Sequence, residues 1–419
     1  MKSIAIIGAT YYGNRGAEAM LSATVSHLSE CYKNSIQFNV FSYYPCMDRR
    51  LVSDSRVKIH SAKPAYLVSV LLPSALLYQF FGWLKLDFLQ RALPNSVQAL
   101  AKSKALLCLA GISFVDGRTK FLPYNIATLG PALILGVPVV KLAQALGPFE
   151  TWPNRLAAQF VLAHCFKIFA RGERTFYYLQ KLLGPSLHVQ RADDVAFLFR
   201  TQDCISQDYP GLEPRLERLA IYHGAGRIVI GVCPSSVLAK RLHKTSKDYI
   251  AWLDNLIQAL VEKGYVVALY PNATRGEDMD KSHNNDLPII SLILMRLKPG
   301  IRESVVAFDG SWSVAQIYRI VNLCELHIVS RFHAMIAALS SAVPVLVIGW
   351  SHKYLEVMSS FGQADMVLDE SRCDLELVMV SIERLLQERY KRSICITNAL
   401  LAAQESARRQ FDHVLALLD

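Results

Sequence analysis

The sequence predicts an α/β protein with two domains, each built on a mainly parallel β-sheet. Short apolar runs of strand length alternate with helical segments in both halves of the chain, a pattern typical of βαβ units. A polar stretch with Gly and Pro separates the halves at residues 206–226, where a linker with a short helix is expected. The length of 419 residues and the apolar content of 52% suit two domains with substantial cores.

The first half contains six predicted strands, and a helix follows the first of them at residues 18–28. Strands that alternate with helices in this way imply crossover connections and a parallel sheet. The predicted strands are residues 3–9, 36–44, 105–111, 137–145, 168–171 and 188–199.

The second half restarts with a strand after the linker. Its predicted strands are residues 227–236, 265–272, 325–330, 343–349 and 366–369, before a helical stretch at 374–417 with a break expected near 391–397. The predicted domains are therefore residues 1–205 and 227–419, joined by the linker at 206–226. Ligands of parallel sheets bind beyond the carboxyl ends of the strands, so motifs at those ends are the functional candidates.

One segment, PAYLVSVLLPSALLYQFFGWL at residues 64–84, is uncharged and long enough to cross a bilayer. Lys63 and Lys85 flank it, and Pro73 divides it into two short halves. Three interpretations stay open. The first is a buried helical hairpin, favoured by the α/β patterns on both sides; the second is an interfacial patch that docks on a membrane; the third, a true span, is the least favoured.

The charge and the cysteines restrict the class of partner and the compartment. A formal charge of +10 favours anionic partners, either small phosphorylated substrates or an anionic membrane surface. No run of five basic residues and no nucleic-acid motif is present, so nucleic acid is not expected as a partner. Nine scattered cysteines form no CxxC pair, which predicts a reducing, cytoplasmic setting without disulfides or a zinc site. The N-terminus runs directly into a strand and does not resemble a secretory signal.

The loop after the first strand contains glycines 8, 13 and 16 in the spacing G-x4-G-x2-G. This is neither the dinucleotide fingerprint nor a Walker loop, because Asn14 stands where the latter needs Lys. Glycines before a helix still let backbone amides approach a polar ligand, so Asn14 and Glu18 are candidates there.

Asp116, in a glycine-bounded loop after a strand, either orients or deprotonates a hydroxyl or holds a turn.

Two further strand ends carry anion-binding residue types. Arg171 ends the predicted strand at 168–171, and a guanidinium there can bind a carboxylate or a phosphate at two points, or form an Arg–Glu pair within its loop. The adjacent Asp193 and Asp194 are a thin ligand set for a metal and favour a structural role. Ser235 and Ser236 cap a predicted helix, whose amides can also hold a phosphate or carboxylate.

The most specific motif is SRFHAM, residues 330–335, between a strand and a helix. Arg331 is permanently charged and therefore needs an anion or water. A phosphate bound at this helix start would favour the protonated imidazole of His333, which suits a general acid. Lys353 and His352 follow the next strand and join the same rim.

Several ordered blocks of the sequence resemble the polysaccharide pyruvyl transferase family. The blocks are GNRGAEAM (13–20), AQALGPF (143–149), ARGERT (170–175), ADDVAF (192–197), GVCPSS (231–236) and SRFHAMIAALSSAVPVLVIGWSHK (330–353). The resemblance implies two Rossmann-like domains in a glycosyltransferase-B-like arrangement with an interdomain cleft. It also implies phosphoenolpyruvate as donor, a saccharide as acceptor and a pyruvate ketal across two hydroxyls, without a metal or a further cofactor.

The resemblance also assigns residues. Arg331, Phe332 and His333 match the family's donor-binding Arg-x-His, with His333 as the catalytic acid, and Arg171 matches a donor-contacting Arg of the first domain. Ser235, Ser236 and Lys353 complete the expected donor side. Asn14, Glu18 and Asp116 are the candidates for the acceptor side.

The chain departs from the family pattern in the first domain. Ala17 stands where an acid usually follows GNxG, and AGISFVDG replaces a glycine-rich loop. Two alternatives stay open, a glycosyltransferase of the same shape that uses a nucleotide sugar, and a non-catalytic relative. If segment 64–84 docks on a membrane, the acceptor is expected to be a lipid-linked oligosaccharide at the inner face of the plasma membrane.

Overall fold

The computed structural model describes residues 2–33, 35–204, 208–245, 248–276, 284–349, 351–370 and 374–418. The chain divides into two compact units, and each contains one parallel sheet. The first unit comprises the chain to Tyr12, Ala17–Phe199 and the chain from Ala403, and the second comprises Gly13–Gly16 and Arg200–Ala402. The predicted fold class of two Rossmann-like parallel-sheet domains is confirmed.

The first unit contains an eight-stranded parallel sheet in the order β3-β2-β1-β4-β6-β7-β8, with β5 paired to β6. Its strands are β1 (Lys2–Ile7), β2 (Ile36–Ser42), β3 (Val57–Ser61), β4 (Leu106–Cys108), β5 (Ile112–Ser113), β6 (Val139–Leu146), β7 (Lys167–Ala170) and β8 (Val189–Arg191). Its helices are α1 (Arg15–Cys31), α2 (Pro45–Leu51), α3 (Pro64–Tyr66), α4 (Leu72–Trp83), α5 (Asp87–Ala92), α6 (Asn95–Ala101), α7 (Leu122–Ile134), α8 (Trp152–Ala163) and α9 (Glu173–Leu183).

The second unit contains a six-stranded parallel sheet in the order β11-β10-β9-β12-β13-β14. Its strands are β9 (Val229–Cys233), β10 (Val266–Leu269), β11 (Val305–Ala307), β12 (Leu326–Val329), β13 (Val345–Gly349) and β14 (Val367–Asp369). Its helices are α10 (Glu213–Gly224), α11 (Ser236–His243), α12 (Tyr249–Glu262), α13 (Leu287–Arg296), α14 (Pro299–Arg302), α15 (Val314–Val321), α16 (Phe332–Ser340), α17 (His352–Ser360) and α18 (Leu375–Leu418).

The strand order of the second sheet is that of a doubly wound dinucleotide-binding fold, with its switch point between β9 and β12. The buried runs VIGVC of β9 and LHIV of β12 are almost wholly apolar, as expected for strands covered on both faces. At such a switch point the two adjacent loops diverge and leave room for a ligand. Here those loops carry Ser235–Ser236 and Arg331.

The structure draws the unit boundaries differently from the sequence. The short helix expected within residues 206–226 is α10, which buries Leu216 and Leu219 in the second unit; Ser206 and Gln207 lie outside the described residues. The end of α18 belongs to the first unit, where the side chain of Gln410 accepts a bond from the Ala143 amide at 2.7 Å. A continuous amphipathic helix does not reveal from sequence which sheet it covers, and α18 runs without the predicted break.

The apolar segment is one continuous helix, so the predicted buried hairpin is wrong. A π-helical turn at Leu67–Leu71 joins α3 to α4, and this turn accommodates Pro73, which has no N–H to donate. Among the described residues, Pro64–Trp83 is the one helix long and apolar enough to cross a membrane, and 22% of its apolar window is buried. Core helices of other proteins pass the same length test, but most of this helix is exposed.

Candidate functional site

Arg331 lies at the switch point of the second sheet, where it occupies the N-cap position of α16. Its guanidinium is buried and forms an ion pair with the fully buried carboxylate of Asp286. Nε donates to both carboxylate oxygens at 3.1 and 3.0 Å, and Nη1 donates to Oδ1 of Asn284 at 2.7 Å. Burial alone would lower the pKa of Arg331, but the charge of Asp286 and its hydrogen bonds raise it. The arginine therefore already has an anion, supplied by its own chain.

Asp286 is the centre of a network that the sequence reasoning missed. Its carboxylate accepts backbone bonds from Ser236 at 2.9 Å, Ala273 at 3.0 Å and Asn272 at 3.3 Å. It thereby ties the loops after β9, β10 and β12 to one point. The only signal in the sequence is the polar NND at 284–286 directly before the apolar helix α13.

The two predicted serines have different roles. Ser235 caps α11, because its Oγ accepts a bond from the Leu238 amide at 3.3 Å. Ser236 instead accepts a bond from Nη2 of Arg331 at 2.9 Å. Ser236 therefore belongs to the Arg331 network, and Ser235 shapes the helix start beside it.

The GNRG loop belongs to the second unit, although the sequence places it in the first domain. Asn14 pairs with Ala273 in an isolated antiparallel bridge, and the Thr274 amide donates to the Gly13 carbonyl at 2.8 Å. The side chain of Asn14 accepts a bond from the Gly16 amide at 3.2 Å, which holds the turn. Asn14 is thus part of the cluster around Arg331 and is not separate from it.

His333 lies in the first turn of α16, half-buried, with Gly16 directly against its imidazole ring. A Cβ at position 16 would lie 2.0 Å from Cγ and 2.1 Å from Nδ1 of His333. Real Cβ contacts of this length do not occur, so the ring can occupy this position only because residue 16 is glycine.

Phe332 and Lys353 complete the rim around His333. The ring of Phe332 meets the imidazole edge to face at 5.3 Å. The ammonium of Lys353, in the first turn of α17, lies 4.9 Å from the centre of the Phe332 ring, a cation–π distance. The structure therefore brings together His333, Phe332, Lys353, Arg331 and Ser236, as the sequence predicts.

Arg171 occupies the equivalent place in the first unit. It follows β7, is buried, and forms an ion pair with the buried Asp194. Nη2 also donates to the Gly111 carbonyl at 3.0 Å. Asp194 caps the turn after β8 through the Ala196 amide, which confirms its predicted structural role, and the predicted Arg–Glu pair within the loop is replaced by this Asp.

Asp116 holds a loop in the first unit. Its carboxylate accepts bonds from the Glu150 amide at 2.6 Å, from Oγ1 of Thr151 at 2.6 Å and from Nδ2 of Asn154 at 2.9 Å. Partial burial raises the pKa of Asp116, but these donors lower it further than burial raises it. The geometry matches the turn-holding interpretation better than a base that removes a proton. Glu18, the other candidate acid, is fully buried on α1.

The described residues contain no group of three or more His, Cys, Asp or Glu placed to hold a metal ion. The chemistry available at the second-unit cluster is therefore that of an imidazole, an ammonium, a guanidinium and the amides of two helix starts, α16 and α17. Such a set binds anions and transfers protons.

Comparison with known proteins shows which sequences this chain resembles. The family model described as polysaccharide pyruvyl transferase matches residues 14–352. The amylovoran biosynthesis protein AmsJ of Erwinia amylovora is 23% identical over 380 residues, which cover 87% of this chain and 88% of that protein.

Two solved structures are similar over almost the whole chain. The S. aureus MnaA–UDP co-structure has a TM-score of 0.59 at 11% identity, and the match covers 99% of this chain and 96% of that chain. UDP-GlcNAc 2-epimerase from Neisseria meningitidis, bound to UDP-GlcNAc, has a TM-score of 0.57 at 13% identity, with 99% of this chain and 100% of that chain covered. This likeness concerns the fold alone, and it confirms the glycosyltransferase-B-like fold class.

Proposed function

The chain belongs to the polysaccharide pyruvyl transferase family, and we propose that it transfers pyruvate from phosphoenolpyruvate to a saccharide as a ketal. The observation that carries this proposal is the cluster of the second unit, where Gly16 of the GNRG loop packs on His333 of the SRFHAM block. Two motifs more than 300 residues apart thus build one site. AmsJ is named for the biosynthesis of a polysaccharide, and we propose the same broad setting for this chain.

The donor carries a phosphate and a carboxylate, and the cluster offers complementary groups. We assign the anionic groups to Lys353 and to the amides at the starts of α16 and α17, where the helix dipoles favour negative charge. Arg331 keeps its bond to Asp286 and presents the Nη1 edge that now contacts Asn284. Arg171, held by Asp194, is proposed as the donor-contacting arginine of the first unit.

Ketal formation divides into steps that balance. His333 gives a proton to the methylene carbon of phosphoenolpyruvate, which becomes a methyl group and leaves C2 electrophilic. A saccharide hydroxyl forms the first C2–O bond, the bond from C2 to the phosphate oxygen breaks, and a second hydroxyl closes the ring. One hydroxyl proton restores the imidazolium of His333 and the other leaves with phosphate. The reaction needs no cofactor beyond phosphoenolpyruvate as co-substrate.

The donor assignment is tested by thermal stabilisation with phosphoenolpyruvate against a panel of nucleotide sugars. A ligand at a hundred times its dissociation constant stabilises the folded state by about 2.7 kcal/mol. Lys353→Gln is the informative variant, because it removes the cation that lies 4.9 Å from the centre of the Phe332 ring. Arg331→Ala is less informative, since it leaves the buried carboxylate of Asp286 without its partner.

The exposed Lys244→Gln, at the end of α11, is the matched control. We expect phosphoenolpyruvate to stabilise the wild type and Lys244→Gln, and Lys353→Gln to need at least tenfold more ligand. Product is checked by phosphate release and by a new methyl proton resonance on the saccharide. Stabilisation by a nucleotide sugar alone would favour the glycosyltransferase alternative, and the absence of both would favour the non-catalytic one.

A further inference from the structure

The first unit carries an apolar surface that its own core does not use. Three helices, α4, α7 and α8, contribute to it, and we call it the three-helix surface. Its largest members are Leu76, Phe80 and Trp83 on α4, and Trp152 and Phe160 on α8, with exposures from 51 to 79%. Large apolar side chains are common singly on protein surfaces, but neighbouring helices that all expose them mark an interaction site.

The packing places these helices side by side. Helix α4 contacts α7, and α7 contacts α8. All three insert their inner residues into the same core on one face of the first sheet, among them Ala75 of α4, Ala127 of α7 and Ala158 of α8. Their outer residues therefore point away from that core together, and Ile126 of α7, the helix that contacts both α4 and α8, is also exposed.

The pattern within each helix is regular. On α8, Trp152, Leu156 and Phe160 follow one another at intervals of four residues and form an exposed stripe. On α4, Leu76 and Phe80 have the same spacing, and the helix carries no charge from Pro64 to Leu84. A surface helix normally turns charged residues outward, so α4 is inverted with respect to a water-facing helix, while α8 places its apolar stripe beside the exposed Arg155.

The rim of the surface is basic. Between Lys63 and Ala163 the sequence holds eight exposed Lys and Arg residues, besides the buried Lys141, and three acidic residues. Lys63 and Lys85 stand exposed at the two ends of the apolar helix, and Arg155 is exposed on α8. Among the acids, Asp116 is engaged in its loop. An apolar patch with a Trp-rich face and a cationic border fits the interface of an anionic bilayer.

We propose that the three-helix surface docks on the surface of an anionic lipid bilayer, with Pro64–Trp83 lying in the plane of the interface. The helix does not cross the bilayer, because Leu67, Leu71 and Ala75 anchor it in the core of the first unit. A symmetric contact with a second copy is disfavoured, since it would bring two basic rims together. The inference does not depend on the proposed reaction, but it places the protein where a lipid-linked saccharide would be accessible.

The experiment is flotation with vesicles of phosphatidylcholine alone and of phosphatidylcholine with phosphatidylglycerol, at low and high salt. Two double variants test the two aromatic groups separately, Leu76→Glu with Phe80→Glu, and Trp152→Glu with Phe160→Glu. The matched control is Ile221→Glu with Tyr390→Glu, which adds the same charge at exposed apolar positions of the second unit. Circular dichroism verifies that each variant is folded.

We expect the wild type and the control to float with anionic vesicles at low salt and to bind neutral vesicles more weakly. Each helix variant should lower vesicle binding at least tenfold. Absence of flotation by the wild type, or flotation unchanged in both helix variants, would overturn the proposal. Sedimentation velocity tests whether a second copy of the chain covers the surface instead. A wild-type dimer that Leu76→Glu with Phe80→Glu dissociates, together with no binding to vesicles, would also overturn the proposal. Because no phosphoenolpyruvate is present, failure here is separate from failure of the proposed reaction.

Discussion

Gly16 lies in contact with the imidazole of His333, so the first glycine-rich loop of the chain sets the position of a histidine more than 300 residues later. The loop itself is fixed by backbone pairing with the segment after β10. That segment is bound to Asp286, which pairs with Arg331. Gly16 and Arg331 therefore both contribute to the geometry at the start of α16, and one network of contacts connects them.

Gly16→Ala should impair activity more than stability. The added methyl would meet two ring atoms of His333 at 2.0 and 2.1 Å and its Cβ at 2.6 Å, so the side chain or the loop must move. Overpacking of this kind destabilises by about 1–3 kcal/mol, whereas a displaced catalytic group lowers the rate by about a hundredfold. Steady-state kinetics and thermal unfolding measure the two effects. Gly300→Ala, where a Cβ meets nothing within 4 Å, is the control, and equal activity of the two variants would contradict the role of the contact.

Asp286→Asn should be among the most destabilising conservative changes in the second unit. It leaves the buried guanidinium of Arg331 without its counter-charge, which costs about 3–5 kcal/mol. Asp309→Asn removes the partner of Arg215 at an exposed ion pair and should cost about 0–1 kcal/mol. Urea unfolding of both variants compares them directly.

A second variant distinguishes loss of the ion pair from a packing defect at position 286. Adding Arg331→Met to Asp286→Asn removes the stranded charge as well, so part of the lost stability should return while donor binding does not. If the double variant is no more stable than Asp286→Asn, the loss reflects packing and not the ion pair.

Much of this architecture could be predicted from sequence, because buried parallel strands are apolar runs that interrupt helical periodicity. Three sheet strands were missed. One of them, β5, has only two residues, and the other two, β3 and β11, were missed for a common reason. β3 (VKIHS) mixes polar and apolar residues, β11 has three residues, and both lie at the edge of their sheets, where burial imposes less of a pattern. The hairpin was wrong because a proline in a long apolar run suggests a break, whereas the preceding π-turn accommodates it.

The motifs of the site could be predicted from the sequence, but the contacts between them could not. Strand-end residues such as Arg331, His333 and Ser236 stand in recognisable contexts. Asp286 does not, because a buried carboxylate and an exposed one look the same in a polar loop. Sequence position also assigns the GNRG loop to the first domain, while long-range backbone pairing assigns it to the second unit. Such long-range pairing produces no local periodicity in the sequence from which it could be predicted.

His333→Asn should separate donor binding from chemistry. Asparagine keeps a side chain of similar reach in the first turn of α16 but cannot protonate the methylene carbon of phosphoenolpyruvate. Loss of a general acid lowers rates by about 10²–10⁴-fold, so we expect that fall in phosphate release with a thermal shift by phosphoenolpyruvate close to wild type. His243→Asn, at an exposed position of α11, serves as control. A variant that still releases phosphate at the wild-type rate would assign the proton transfer to another group.

The stability of the protein should fall as the pH decreases from 7 to 5, because the buried His327 and the partly buried His60 must stay neutral. Burial lowers the pKa of His327 to about 4, and burial with the nearby charges of Arg49 and Lys58 lowers the pKa of His60 to about 4. The unfolded chain takes up these protons near pH 6.5, so between that value and about 4 it binds more protons than the folded state does. Acidification in this window therefore favours unfolding, on the order of 2 kcal/mol per histidine by pH 5.

His327→Gln isolates one of these contributions. The wild-type ring contacts the hydroxyl of Tyr270 and the carbonyl of Val321, both at 3.1 Å. Glutamine can replace one or both bonds but cannot titrate, so the variant should be less stable at pH 7 and lose less stability on going to pH 5. Urea unfolding at pH 7, 6 and 5 measures the slope, with the exposed His243→Gln as a control that keeps the wild-type slope. An unchanged slope in His327→Gln would mean that the acid sensitivity resides in other groups, of which His60 is the first to examine.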